Sequence, residues 1–223
     1  MGFVLVLIIG VVIVGGAWYV QHRLAEQRRA AVFALAQRLG FTYSADDVNG
    51  VLALDFFTLE RGDGQRARNF VHGVHAGRPV QIFDFDYYEE SSGKQRSRTW
   101  YHLNVAMMTI DAAVSHLRIG HEGFAGKLAN LVGFDDIELE YGDFNDRFRV
   151  LSADRTLAFS LLDGQMMEWL MGAGGIEALE LHGPHVLVAV DRIDPSEWDR
   201  LLDFLAQFHE RIPRVVFSTY PAR

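Results

Sequence analysis

The first twenty residues, MGFVLVLIIGVVIVGGAWYV, carry no charged side chain, and no other stretch limits the possible folds so strongly. As an α-helix, Gly2 to Val20 rises by roughly 28 Å, close to the ~30 Å hydrocarbon core of a bilayer. A cleavable leader fits less well. Such a leader has a basic n-region and an apolar core of about 7–15 residues, whereas only Met1 and Gly2 precede this longer run. A buried core helix would show a polar stripe over several turns. Trp18 and Tyr19 stand where a span meets the headgroups. The expectation is a transmembrane anchor over residues 1–21, touching the lipid bilayer through residues 2–20.

Flanking charge sets the expected orientation. Residues 22–39 hold Arg23, Arg28, Arg29 and Arg38 against Glu26, a net +3, and the N-terminal flank has no charge. Basic flanks stay inside, which predicts a single-pass inner-membrane protein with its C-terminal domain in the cytoplasm. The whole chain is at −8, so residues 40–223 carry −11. An acidic domain is repelled by nucleic acid, and no nucleic-acid partner is expected. Cysteine is absent. That excludes disulfides, thiolate metal ligands and cysteine nucleophiles.

Beyond the anchor the pattern predicts an α+β fold, a mainly antiparallel sheet with packed helices. Leu24, Ala31, Val32, Leu35 and Leu39 recur at helical spacing, giving a juxtamembrane helix over 22–40 closed by Gly40. Residues 41–223 form the soluble domain, whose two halves meet near residue 133. Stretches 66–75, 79–90 and 97–109 are rich in β-branched and aromatic residues and are separated by Ala76-Gly77-Arg78 and Ser91-Ser-Gly-Lys, the signature of a three-stranded meander. A strand over 114–119, a short helix over 123–132 and strands over 137–141 and 146–151 follow. Asp154 and Asp163 stand at helix starts. Residues 176–182 and 185–191 read as a hairpin turned at Gly183-Pro184. Asp194-Pro195-Ser196-Glu197 opens a helix whose apolar stripe is Trp198, Leu201, Leu202, Leu205 and Phe208.

Few constellations carry chemistry. Asp84 and Asp86 lie two apart on a strand and so share a face. They form either a carboxylate pair for binding a cation or for acid–base work, or charges that lie on the solvent face of a sheet or form ion pairs with Arg66, Arg68, Arg96 or Arg98 on neighbouring strands. Together with Tyr88, Trp100 and His102 they are the candidate binding cluster, if the strand register brings them together; a buried Trp100 is the expectation. His72 and His75 point to opposite faces of a strand, and His116 and His121 have no third ligand nearby in sequence, so no metal and no cofactor are expected. No GxSxG, Walker loop or triad spacing is present, and no catalytic residue is assigned.

The order of the N-terminal span, ARNFVHGVHAGRPVQIFDFDYY, GFDDIELEYGDFNDRFRV and DGQMMEWL resembles a family of uncharacterised bacterial membrane-anchored proteins of unknown function. The resemblance implies a fold and no catalytic residues. The resulting expectation is a membrane-anchored cytoplasmic binding or assembly module with an unknown protein partner. The alternatives are a tethered hydrolase-like enzyme using the 84–86 carboxylates with His102, and a structural envelope component.

Overall fold

The computed structural model describes residues 2–91, 96–121 and 134–222 and, within the first helix, the side chains of residues 10, 12 and 14 onward. The helix expected over 123–132 and most of the turn at 91–94 lie outside the described residues. The chain opens with α1 (Gly2–Leu39). It stops at Gly40, where φ is +68° and the Phe41 N–H donates to Ala36 O at 2.8 Å.

The expected membrane span is not supported: among the described residues, no helix is long and apolar enough to cross a membrane. α1 runs on past Val20 to Leu39 without a break, through a stretch that carries four arginines. His22, Arg23 and Glu26 follow Val20 at once. The single-pass, inner-membrane and cytoplasmic expectations all rested on the span and fall with it. So does the lipid contact through residues 2–20.

After α1 come β1 (Thr42–Ser44), β2 (Gly64–His75), β3 (Arg78–Glu90), β4 (Arg98–Gly120), β5 (Asp135–Asp136), α2 (Gly142–Arg147), β6 (Arg149–Ser152), α3 (Arg155–Leu161), α4 (Gly164–Gly172), β7 (Ile176–Asp191), α5 (Trp198–Arg211) and α6 (Arg214–Thr219). The strands form one antiparallel sheet in the order β1-β2-β3-β4-β6-β5, with β7 also paired to β4. Strands from before and after residue 133 therefore share one sheet. The two-residue turn at Ala76 (φ +49°) and Gly77 (φ +76°) has both central φ values positive, as a hairpin with right-twisted strands requires.

Two expectations about strands are corrected. Residues 176–191 are one strand rather than a hairpin, because Gly183 (φ +55°) faces an irregular stretch of β4 around Val114 and the two strands bend together there. Residues 137–139 have no regular structure, and α2 occupies the stretch before β6. The helix starts hold: Asp154 accepts from the Leu157 N–H at 3.1 Å and Asp163 from the Met166 N–H at 2.8 Å.

Alternation along the hairpin of β3 and β4 builds two cores. Val80, Ile82, Ala106 and Met108 face a large cluster with Val32, Leu35 and Ala36 of α1 and the Trp198–Phe208 stripe of α5. Phe83, Phe85, Tyr87, Leu103, Val105 and Met107 face the other way, against Val51, Phe56 and Leu59 of the loop between β1 and β2. The α1 face then changes character. Two residues beyond Ile82 comes Asp84, then Asp86 and Tyr88.

Candidate functional site

The strand register pairs Asp84 with Asn104, Asp86 with His102 and Tyr88 with Trp100. All six side chains therefore lie on the sheet face over which α1 runs. On α1, Arg28 stands one turn before Val32 on the same face, with Ala25, Leu24 and Gln21 further up. Between helix and sheet opens a cleft of about 620 Å³ lined by these helix residues, by Asp84, Asp86, Trp100 and His102, and by Arg66, Arg68, Asn69 and Arg192.

Both aspartates are buried, at 1% and 3% exposure, so neither lies on a solvated face, while the expected ion pair with Arg68 is present at Asp86. Asp84 is gripped from three elements. Arg28 donates through Nε to Oδ2 at 2.9 Å and through Nη2 to Oδ1 at 2.7 Å. Asn69 Nδ2 and Asn104 Nδ2 each donate to it at 2.8 Å. Asn69 reaches the carboxylate because it sits at φ +55° in a bulge of β2, a conformation that asparagine tolerates better than most residues. Arg28 Nη1 also donates to Ile193 O at 3.0 Å, which fastens α1 to the chain leaving β7.

Asp86 accepts from Arg68 Nη2 at 2.6 Å, from Arg192 Nη2, and from His102 Nδ1, 2.7 Å away. A carboxylate only accepts, so the imidazole donates from Nδ1. Burial alone would push the Asp86 carboxyl up, but the His102 hydrogen bond and the charges of Arg192 and Arg68 outweigh it and hold it below the usual carboxylate range. A depressed carboxylate stabilises the fold fully above its unfolded pKa of about 3.9, and that contribution is lost as pH falls through the lower folded value. Asp86→Asn should therefore lose less stability than the wild type on acidification from about pH 5 to 3. Urea midpoints measured across that range check this; parallel curves for the two proteins would contradict it.

The remaining residues of the expected cluster divide. Trp100 is 47% exposed at the cleft rim, which corrects its expected burial: its strand face has already run past the core. Tyr88 packs on Trp100 (ring centroids 5.0 Å apart) and outside the cleft over Gly64, where a Cβ would stand 2.5 Å from its ring. Arg98 pairs with Glu90 at 2.7 Å and not with either aspartate. The side chain of Arg66, within the paired part of β2, makes no hydrogen bond or ion pair among the described residues. The Nε atoms of Arg68 and Arg192 are buried without hydrogen-bond partners.

Arg28, Asn69, Asn104 and Arg192 escape sequence reasoning. Only Arg28 leaves a trace, its place on the helical stripe of Val32 and Leu35. Four guanidinium groups face two carboxylates, a surplus of two positive charges inside a chain of net charge −8. The arrangement is suited to holding an anion, since both carboxylates are already engaged by donors within the protein.

No protein-family model matches the chain, and no curated protein sequence does. A solved structure, the crystal structure of the mycobacterial trehalose monomycolate transport factor A, TtfA, has the same fold. The TM-score is 0.61 at 17% sequence identity, over 83% of this chain and 96% of that one. The likeness is one of fold.

Proposed function

We propose that the chain is a binding module whose cleft between α1 and the β3–β4 hairpin holds an anionic group, a carboxylate or a phosphate, carried by its ligand. The observation that carries this reading is the surplus of guanidinium groups over carboxylates in the cleft, with Arg66 unengaged among the described residues. Guanidinium forks match the geometry of carboxylate and phosphate, and a local positive field in an acidic protein steers such a ligand to one place. Leu24, Ala25 and Trp100 on the rim offer apolar surface beside the charges. The ligand class is therefore an anionic amphiphile.

The shared fold with a transport factor for trehalose monomycolate supports a role in carrying or handing on a ligand rather than converting it. The enzyme reading is weaker. No hydroxyl or thiol lines the cleft among the described residues, and Asp86 is held in its charged form by three donors.

Trp100 is a built-in reporter. Titration with dodecyl phosphate should change tryptophan emission saturably, and added salt should weaken the effect. Neutral dodecyl maltoside should leave the emission unchanged. Arg66→Ala should bind about tenfold more weakly, the ~1.4 kcal/mol of one charge-assisted contact. Trp100→Phe should lose most of the signal and less than about 1 kcal/mol of stability, as expected of an exposed ring. Equal responses to the two amphiphiles, or unchanged affinity in Arg66→Ala, would sink the reading.

A further inference from the structure

The other face of the sheet carries a second polar cluster that the anion cleft does not use. On β4, His116 and Arg118 lie two apart; on β7, Glu180 and His182 do the same. Arg118 pairs with Glu180 in the strand register, and the His116 and His182 rings stand one rung further out, 4.9 Å apart. The loop between β1 and β2 closes over them. Phe57 stacks on His116 at 4.0 Å and Phe56 meets both histidine rings edge-on, which holds the preceding residue, Asp55, above the pair. One ligand atom each from Asp55, His116 and His182 lies within 4.8 Å of the others.

We propose that Asp55, His116 and His182 form a site for a divalent transition-metal ion of the zinc type, with Glu180 as the carboxylate that orients His116. Three features beyond proximity support it. His116 Nε2 lies 3.3 Å from Glu180 Oε2; the carboxylate accepts, so Nε2 carries the proton and Nδ1 offers its lone pair. This is the carboxylate–histidine arrangement that commonly backs a metal ligand.

Secondly, His182 has Nε2 4.0 Å from Asp55 Oδ2, while its Nδ1 is buried with no hydrogen-bond partner. With no hydrogen bond claiming either nitrogen of this ring among the described residues, Nε2, the atom that faces Asp55, is free to take an ion. Thirdly, the ligand set is nitrogen and oxygen in a chain without cysteine, which suits Zn²⁺ or Co²⁺ better than the hard cations, whose sites are built from oxygen. Asp55 is exposed and His182 only half-buried, so both can close the last ångström to the ion. Their exposure also leaves a side open for water or a further ligand.

The test is titration of the full chain with CoCl₂, followed through the visible ligand-field absorption and then by displacement with ZnCl₂. One Co²⁺ per chain should bind and be displaced by an equivalent of Zn²⁺. His182→Ala and Asp55→Ala change solvent-accessible side chains and should keep the wild-type circular dichroism. Each should weaken Co²⁺ binding by about tenfold or more, at least the effect of losing an outer-shell partner. His75→Ala removes the surface pair with Asp203 and should change nothing. Failure of the folded wild type to bind either ion at one equivalent would overturn the proposal. So would binding that survives both site substitutions or is lost in His75→Ala.

Discussion

Asp84→Ala should cost about 3–5 kcal/mol, the range for breaking a buried ion pair. The carboxylate is 1% exposed and takes hydrogen bonds from Arg28, Asn69 and Asn104. Its removal strands the amide donors of two buried asparagines and an arginine whose side chain is only 19% exposed. Arg28→Ala should cost a similar amount for the converse reason, leaving a buried negative charge. The double substitution should cost clearly less than the sum, because the second change removes the group that the first orphaned. Urea unfolding of the four proteins measures all three quantities. A loss below about 1 kcal/mol for Asp84→Ala would mean that water solvates the carboxylate after all. Faster proteolysis of α1 in Arg28→Ala would show in addition that this bond docks the helix on the sheet.

A second large loss is expected on the other face. Glu180 is fully buried and accepts from the Thr58 N–H at 3.0 Å, from Thr58 Oγ1 at 2.6 Å, from His116 and from Arg118. Burial alone would raise its pKa, but the Arg118 charge and the hydrogen bonds from His116 and Thr58 outweigh it and hold the carboxyl below its usual range. Its contribution is therefore complete above the unfolded carboxylate pKa and fades as pH drops through the lower folded value. Arg118→Met should destabilise by about 3–5 kcal/mol at neutral pH, since it leaves that buried charge without its guanidinium counter-charge. Arg118→Met with Glu180→Leu should recover much of the loss, as apolar replacement of a whole buried pair often does. The Thr58 N–H, left without its acceptor, limits the recovery. No recovery in the double variant would mean that the hydrogen bonds to Glu180, and not the pairing of charges, hold this region.

What the sequence discloses and what it hides follows from the range of each interaction. A period of two puts Asp84 and Asp86 on one face, and the stripe from Trp198 to Phe208 is read directly as buried. Both are local patterns. The partners of the aspartates are not local: Arg28 lies 56 residues from Asp84, and Arg192 lies 106 from Asp86. Only the hydrogen-bond register of β3 with β4 and the docking angle of α1 bring them together. The bulge that turns Asn69 inward leaves no periodic signal, because one inserted residue looks like a lapse in alternation. The hairpin expected at Gly183-Pro184 fails for a related reason. Glycine followed by proline marks a turn when short range decides, but along β4 the same pair marks a bend within a continuous strand. The span expected at the N-terminus rested on the length and composition of one uncharged run and on the place of Trp18 and Tyr19 at its end.

A crystal structure of the protein grown with dodecyl phosphate tests the anion cleft most directly. The phosphate should lie within hydrogen-bonding distance of the guanidinium groups of Arg66, Arg68 and Arg192, with the alkyl chain passing beside Trp100 and Leu24. A phosphate bound elsewhere on the surface, or an empty cleft in crystals of protein that binds the amphiphile in solution, would contradict it.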